Sequence, residues 1–175
     1  MRGIKLKNRI YFEKFISENE FHYFLDLATN EEVEVMNYGR VFTLEESELQ
    51  YKGMLRINRK HEGFGYFKVF LKDTNTYIGL GALVVNDDLT NGEIEYLLLP
   101  EYWGQGYGSE IAEELLRMAE ATKSIIRIEA SIDPNNIGSR KILFKNGFVS
   151  CKLYKNPDDG SPVEMLSKEI VHPLL

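Results

Sequence analysis

Leu97-Leu98-Leu99-Pro100-Glu101-Tyr102-Trp103-Gly104-Gln105-Gly106-Tyr107-Gly108-Ser109-Glu110 is the stretch on which the fold turns. An apolar run stops at a proline. A turn with glycine at alternate positions, Gly104, Gly106 and Gly108, follows. Ser109 to Ala121 then has helical periodicity, with Ile111, Ala112, Leu115, Met118 and Ala119 on one face and Glu110, Glu113, Glu114, Arg117 and Glu120 largely on the other. This is strand, glycine-rich turn, helix. It points backbone N–H groups at a helix start, where they can hold an anion such as a phosphate. The spacing completes neither a dinucleotide fingerprint nor a P-loop. A tight turn that binds nothing is the competing reading.

A chain of 175 residues fits one domain with a sizeable core. Its hydrophobic fraction of 43% and charged fraction of 27% are those of a soluble globular protein. A net charge of −6 does not suggest nucleic acid as a partner and mildly favours a cationic one, such as an amine. The single cysteine, Cys151, leaves no disulfide within the chain and no thiolate metal cluster, and reads as a buried strand residue. His22, His61 and His172 lack metal-ligand spacing and read as surface or packing residues, so no metal is expected. No apolar run approaches membrane-spanning length and the first residues are too polar for a secretory signal, so the expected compartment is the cytoplasm.

Outward from the central turn the chain alternates strand and helix signals. Ile4 to Phe15 mixes basic and apolar residues, with a first strand at Arg9 to Phe15. Ser17 to Glu20 is a capping box opening a helix that ends near Asn30, and Thr43 to Glu46 opens a second helix to about Lys60. In that second helix the apolar positions are Leu44, Leu49, Met54, Leu55 and Ile57. Gly65 to Lys72, Tyr77 to Val85 and Gly92 to Leu99 read as an antiparallel meander, with turn residues between them. Ile125 to Ile132 is a strand. Asn136 caps a helix that Asn146-Gly147 terminates, and Phe148 to Tyr154 and Val163 to Val171 are the last strands. The order is β-α-α-β-β-β-α-β-α-β-β.

That order, with Pro100 to Glu110 at its centre, resembles the GNAT superfamily of acetyl-CoA-dependent N-acetyltransferases, in the branch that includes the ribosomal-protein N-terminal acetyltransferases. Asp133-Pro134-Asn135-Asn136-Ile137-Gly138-Ser139-Arg140-Lys141-Ile142-Leu143-Phe144-Lys145-Asn146-Gly147-Phe148 is similar to the family's asparagine-led helix ending in Gly-Phe. The resemblance implies an α/β (α+β) fold: a mixed, mostly antiparallel central sheet of about seven strands flanked by about four helices, as one domain over residues 1–175. It implies acetyl-CoA as co-substrate and an amine acceptor, either a small molecule or a protein N-terminus. The oligomeric state stays open between monomer and homodimer.

The resemblance also implies site residues. Gly104, Gln105, Gly106, Tyr107, Gly108 and Ser109 match the turn that holds the coenzyme pyrophosphate through backbone amides. Leu97, Leu98 and Leu99 match the strand whose backbone pairs with the pantetheine amides. Asn136 matches the asparagine that bonds the pantetheine arm. Trp103 stands where the family commonly has glutamine or arginine. Family members of this branch often carry a glutamate at the Glu93 position.

The chemistry asks for a base. An amine is mostly protonated near neutral pH and must lose a proton to attack a thioester. Glu93 and Glu95 lie two apart on a strand and so face one side. Glu93 is the expected base, with Glu95 as acceptor-binding group or substitute base. Many superfamily members use a tyrosine seven residues after the asparagine, and Leu143 stands there. Ser139 is the candidate donor to the coenzyme sulfur, with Tyr96, Tyr102, Tyr107 and Tyr154 as other donors. Leu143 also motivates a competing reading, a non-catalytic acyl-CoA-binding sensor or scaffold. A nucleotide-binding α/β domain is the third.

Overall fold

The computed structural model describes residues 9–172; the expectations on Ile4 and on the ends of a 1–175 domain lie in part outside the described residues. The strands are β1 (Ile10–Lys14), β2 (Gly65–Leu71), β3 (Tyr77–Val85), β4 (Asn91–Leu98), β5 (Arg127–Ile132), β6 (Val149–Lys155) and β7 (Pro162–Glu169). The helices are α1 (Phe21–Ala28), α2 (Glu31–Tyr38), α3 (Leu44–Asn58), α4 (Tyr107–Glu120) and α5 (Ile137–Lys145). The strands form one sheet in the order β1-β2-β3-β4-β5-β7-β6. Every neighbouring pair is antiparallel except β4 and β5, which run parallel through the crossover helix α4. The expected mixed, mostly antiparallel seven-stranded sheet is what forms.

Each face of the sheet has its own core. Ile111 and Leu115 of α4 and Leu143 of α5 pack with Val69, Leu83, Ile94, Ile128 and Leu166 on one face. Phe24 and Leu27 of α1, Val33 of α2 and Tyr51, Met54 and Leu55 of α3 pack with Leu80, Ala82 and Leu97 on the other. Ile94 and Leu97 therefore go to opposite cores, as strand alternation requires, and Glu93 and Glu95 share the face of Leu97.

Among the described residues five α-helices form rather than about four, the additional one being α2. Asn30 ends α1, its N–H bonding Leu27 O, and also caps α2, its Oδ1 accepting from Val33 N–H at 3.3 Å. The segment buries only Val33 and Glu34, so it lacks an apolar stripe that periodicity could find. Gly39 ends it at φ 73°, a left-handed stop.

Three expectations are corrected. Glu110, assigned to the polar face of α4, is buried, because Arg9 pairs with it. Leu44 and Leu49 of α3 are exposed, and the buried face is Ser47, Tyr51, Met54, Leu55 and Asn58. Cys151 is exposed, since it sits at a register shift in β6, an edge strand exposed along its whole length.

Candidate active site

The site begins where β4 and β5 part. Their parallel pairing covers Asn91 to Glu93 against Arg127 to Glu129 and goes no further. Beyond it, β4 still pairs with β3 through Leu98. Leu99 N–H bonds Ile78 O at 3.0 Å, so alternation turns the backbone groups of Leu97 toward β3 and those of Tyr96 and Leu98 toward the gap. Leu98 O is taken by the indole N–H of Trp103 at 2.8 Å.

The gap opens into a cleft of about 560 Å³ between β4, the start of α4 and the start of α5, with α2 on its rim. Its wall includes Tyr96, Leu97, Leu98, Trp103, Gly104, Gly106, Gly108, Ser109, Asn136 and Ser139. Helix α4 starts at Tyr107, two residues before the expected Ser109. Its cap, Gly106, sits at φ 87°, which favours glycine, and offers no side chain to the helix start. The first intrahelical bond runs from Glu110 N–H to Gly106 O, so the N–H groups of Tyr107, Gly108 and Ser109 precede the ladder. Gly104, at φ 71°, has open space where a Cβ would stand. Bare amides at a dipole's positive end suit a diphosphate.

A clamp holds this turn in place. Arg9 donates from its backbone N–H and Nε to the buried Glu110 carboxylate, at 3.1 and 2.6 Å, and from Nη2 to Gln105 O at 2.9 Å. Its guanidinium also lies 4.1 Å from the centre of the Tyr107 ring. The side chains of Gln105 and Tyr107 are thus turned away from the cleft, Gln105 Nε2 donating to Glu101 O. Leu99 packs against the α1–α3 core instead of the cleft.

Asn136 is buried and used twice. Its Oδ1 accepts from Ser139 N–H at 3.1 Å, capping α5, and its Nδ2 donates to Asn37 Oδ1 of α2 at 3.3 Å.

Beyond the cleft lies a second cavity of about 180 Å³. Asn37, Tyr96, Leu97 and Ser139 line both spaces. Glu93, Glu95, Tyr38, Ser131 and Leu143 line the cavity alone. Tyr38 Oη donates to Glu95 Oε1 at 2.8 Å. Desolvation raises the Glu95 pKa, and the charge of Glu93 adds to it against that hydrogen bond. Glu93 sits at the exposed mouth; desolvation by the surrounding strands raises its pKa too, helped by Glu129 and opposed by a hydrogen bond from Ser131. Tyr96, whose Oη donates to Ser139 O, is pushed up to about 12 by burial. Two carboxylates of raised pKa beside a hydroxyl-lined junction are stronger bases than free carboxylates.

The sequence did not point to Arg9, Asn37 or Tyr38. The available signal for the last two was Asn30 and Gly39 bracketing a helix-length segment. Among the alternative donors, Tyr96 is at the junction; Tyr102 and Tyr107 pair with each other away from it, and Tyr154 is on the far edge strand β6.

A glycine-rich helix start with free amides borders a cleft that shares four wall residues with a carboxylate-bearing cavity. The model of the acetyltransferase (GNAT) domain family matches residues 9–149. The chain belongs to the GNAT acetyltransferase family. It is 32% identical to an uncharacterised N-acetyltransferase, p20, from Bacillus licheniformis over 78 residues, 44% of each chain. The chain spans 44% to 63% of the length of the curated relatives it matches. In structure it is similar to the Salmonella typhimurium acetyltransferase that modifies the N-terminal serine of ribosomal protein L7/L12, with TM-score 0.76, 17% identity and coverage of 96% and 99% of the two chains. It is also similar to spermidine N-acetyltransferase from Vibrio cholerae in complex with CoA and spermine, with TM-score 0.73, 15% identity and coverage of 93% and 96%. These likenesses are of fold.

Proposed function

We propose that this protein transfers the acetyl group of acetyl-CoA to a primary amine by direct attack in a ternary complex. The observation that carries this reading is the adjacency of cleft and cavity: Asn37, Tyr96, Leu97 and Ser139 line both, so the glycine-rich helix start borders one space and the carboxylates the space next to it. The amides of Tyr107, Gly108 and Ser109 hold the diphosphate. The gap-facing backbone of Tyr96 and the Asn136 amide hold the pantetheine arm. The thioester supplies the electrophilic carbonyl carbon.

Glu93 takes a proton from the acceptor ammonium, and the freed nitrogen lone pair forms the C–N bond. As the C–S bond breaks, the nitrogen gives its second proton through solvent to the departing thiolate, leaving the neutral amide. The thiolate leaves with a hydrogen bond from Ser139 and takes up a proton. A thiol with reference pKa about 8.5 is a fair leaving group, so Leu143 in place of a tyrosine does not stop the reaction. Glu95, held by Tyr38, binds the acceptor. A module that only binds coenzyme has no use for two carboxylates of raised pKa in the cavity beside the cleft. The family neighbours that act on spermidine or on a protein N-terminus support an amine acceptor in general.

The test is turnover of acetyl-CoA with an amine panel, followed by free thiol. Glu93→Gln is expected to lower kcat roughly 100-fold with coenzyme affinity retained. No heat on titrating acetyl-CoA into the protein, or equal turnover by the variant, overturns the reading.

A further inference from the structure

Glu34 of α2 has no place in the reaction as drawn. It is 1% exposed, and its Oε2 has no hydrogen-bond partner among the described residues. A buried, unpartnered carboxylate is costly and persists where something else offsets it. The charged groups acting on it are Glu95, which repels it, and Arg40, whose guanidinium is already bonded by two nitrogens to Glu46. Tyr38, one turn along α2, donates to Glu95, and Tyr66 of β2 feels both Glu93 and Glu95. The cluster therefore holds the buried Glu34 carboxyl, the half-buried Glu95 carboxyl on the cavity wall and two phenols, and among the described residues the cation acting on Glu34 is Arg40, already engaged by Glu46.

We infer that Glu34 and Glu95 form a cation subsite, so that the acceptor bears two cationic nitrogens, one acetylated beside Glu93 and the other held at Glu95 with Glu34 behind it. This rests on the amine-acetylation reading of the same cavity. Spacing supports the assignment. Glu93 and Glu95 are two strand residues apart, about 6.6 Å. The nitrogens of a four-carbon diamine are about 6 Å apart, five single bonds in a zigzag. Arrival of the second ammonium supplies the charge that the carboxyl pair lacks, and a monoamine leaves the pair as it stands. Helix α2, which contributes Glu34, Asn37 and Tyr38, is then the element that reads the acceptor.

The experiment compares 1,4-diaminobutane with butylamine by steady-state kinetics on the full chain. The wild type is expected to favour the diamine about tenfold or more in kcat/KM, through KM. Glu34→Gln, which keeps the size of the protonated side chain, and Glu95→Gln, which keeps an acceptor for Tyr38, are each expected to lower that preference several-fold. A merely structural role for Glu34 lowers both substrates alike and leaves the preference unchanged; that result, or equal kcat/KM for the two amines in the wild type, overturns the subsite. Absence of turnover with every amine overturns acetyl transfer instead. The subsite is then read by calorimetry of 1,4-diaminobutane into protein saturated with CoA: weaker binding by Glu34→Gln supports it, and equal or absent binding overturns it.

Discussion

Glu34 ties stability to pH. Burial, with Glu95 adding to it, pushes its pKa up to about 8 from an ordinary 4.5. The folded state therefore holds a proton that the unfolded state has released between pH 4.5 and about 8. Stability from the neutral side chain is complete below the lower value and is lost as pH rises through the upper one. Its size is on the order of 2–4 kcal/mol. Denaturant unfolding at pH 5.5 and 8.5 is expected to show a smaller loss for Glu34→Gln than for the wild type. Glu93 and Glu95 are shifted in the same direction and contribute to the loss that remains. None of this is visible in Glu31-Glu32-Val33-Glu34; which of the three glutamates is buried depends on how α2 packs, with Val33 in the core that holds Leu97 of β4.

Among the elements, the turn into α4 and the cap of α5 were legible, because glycine and asparagine declare backbone geometry locally. What holds them was not. Arg9 lies 101 residues from its partner Glu110. Arg9→Ala is expected to release the turn and weaken acetyl-CoA binding roughly tenfold, about 1.4 kcal/mol, measured by calorimetry. Asn136→Ala removes the α5 cap and the tie to Asn37; the cap alone is worth about 1 kcal/mol in denaturant unfolding. Hydrogen exchange is expected to speed in α2 in that variant, since Asn37 loses its partner across the cleft. The expected solvated face of α4 failed at Glu110 for the same reason: a long-range arginine, absent from any local pattern, made its burial tolerable.

In the whole molecule, the sheet separates two cores, and β4 and β5 part after three paired residues to open the cleft. Closing that sheet depends on the residues at the fork. Ile128, fully buried in the middle of the three-residue parallel pairing, is expected to cost about 2–5 kcal/mol as Ile128→Ala, read by denaturant unfolding. Alternation, turn residues and caps lie within a few positions of one another, so the strands, four of the five helices, the antiparallel meander and the glycine cradle could be read along the chain. Depth, charge partners and the seating of α2 on the cleft rim join residues dozens of positions apart: Tyr38 to Glu95, Asn37 to Asn136, Arg9 to Glu110. Those pairings exist only once the sheet has been assembled and its two faces covered, because a side chain's dielectric surroundings come from neighbours in space and not from neighbours in sequence.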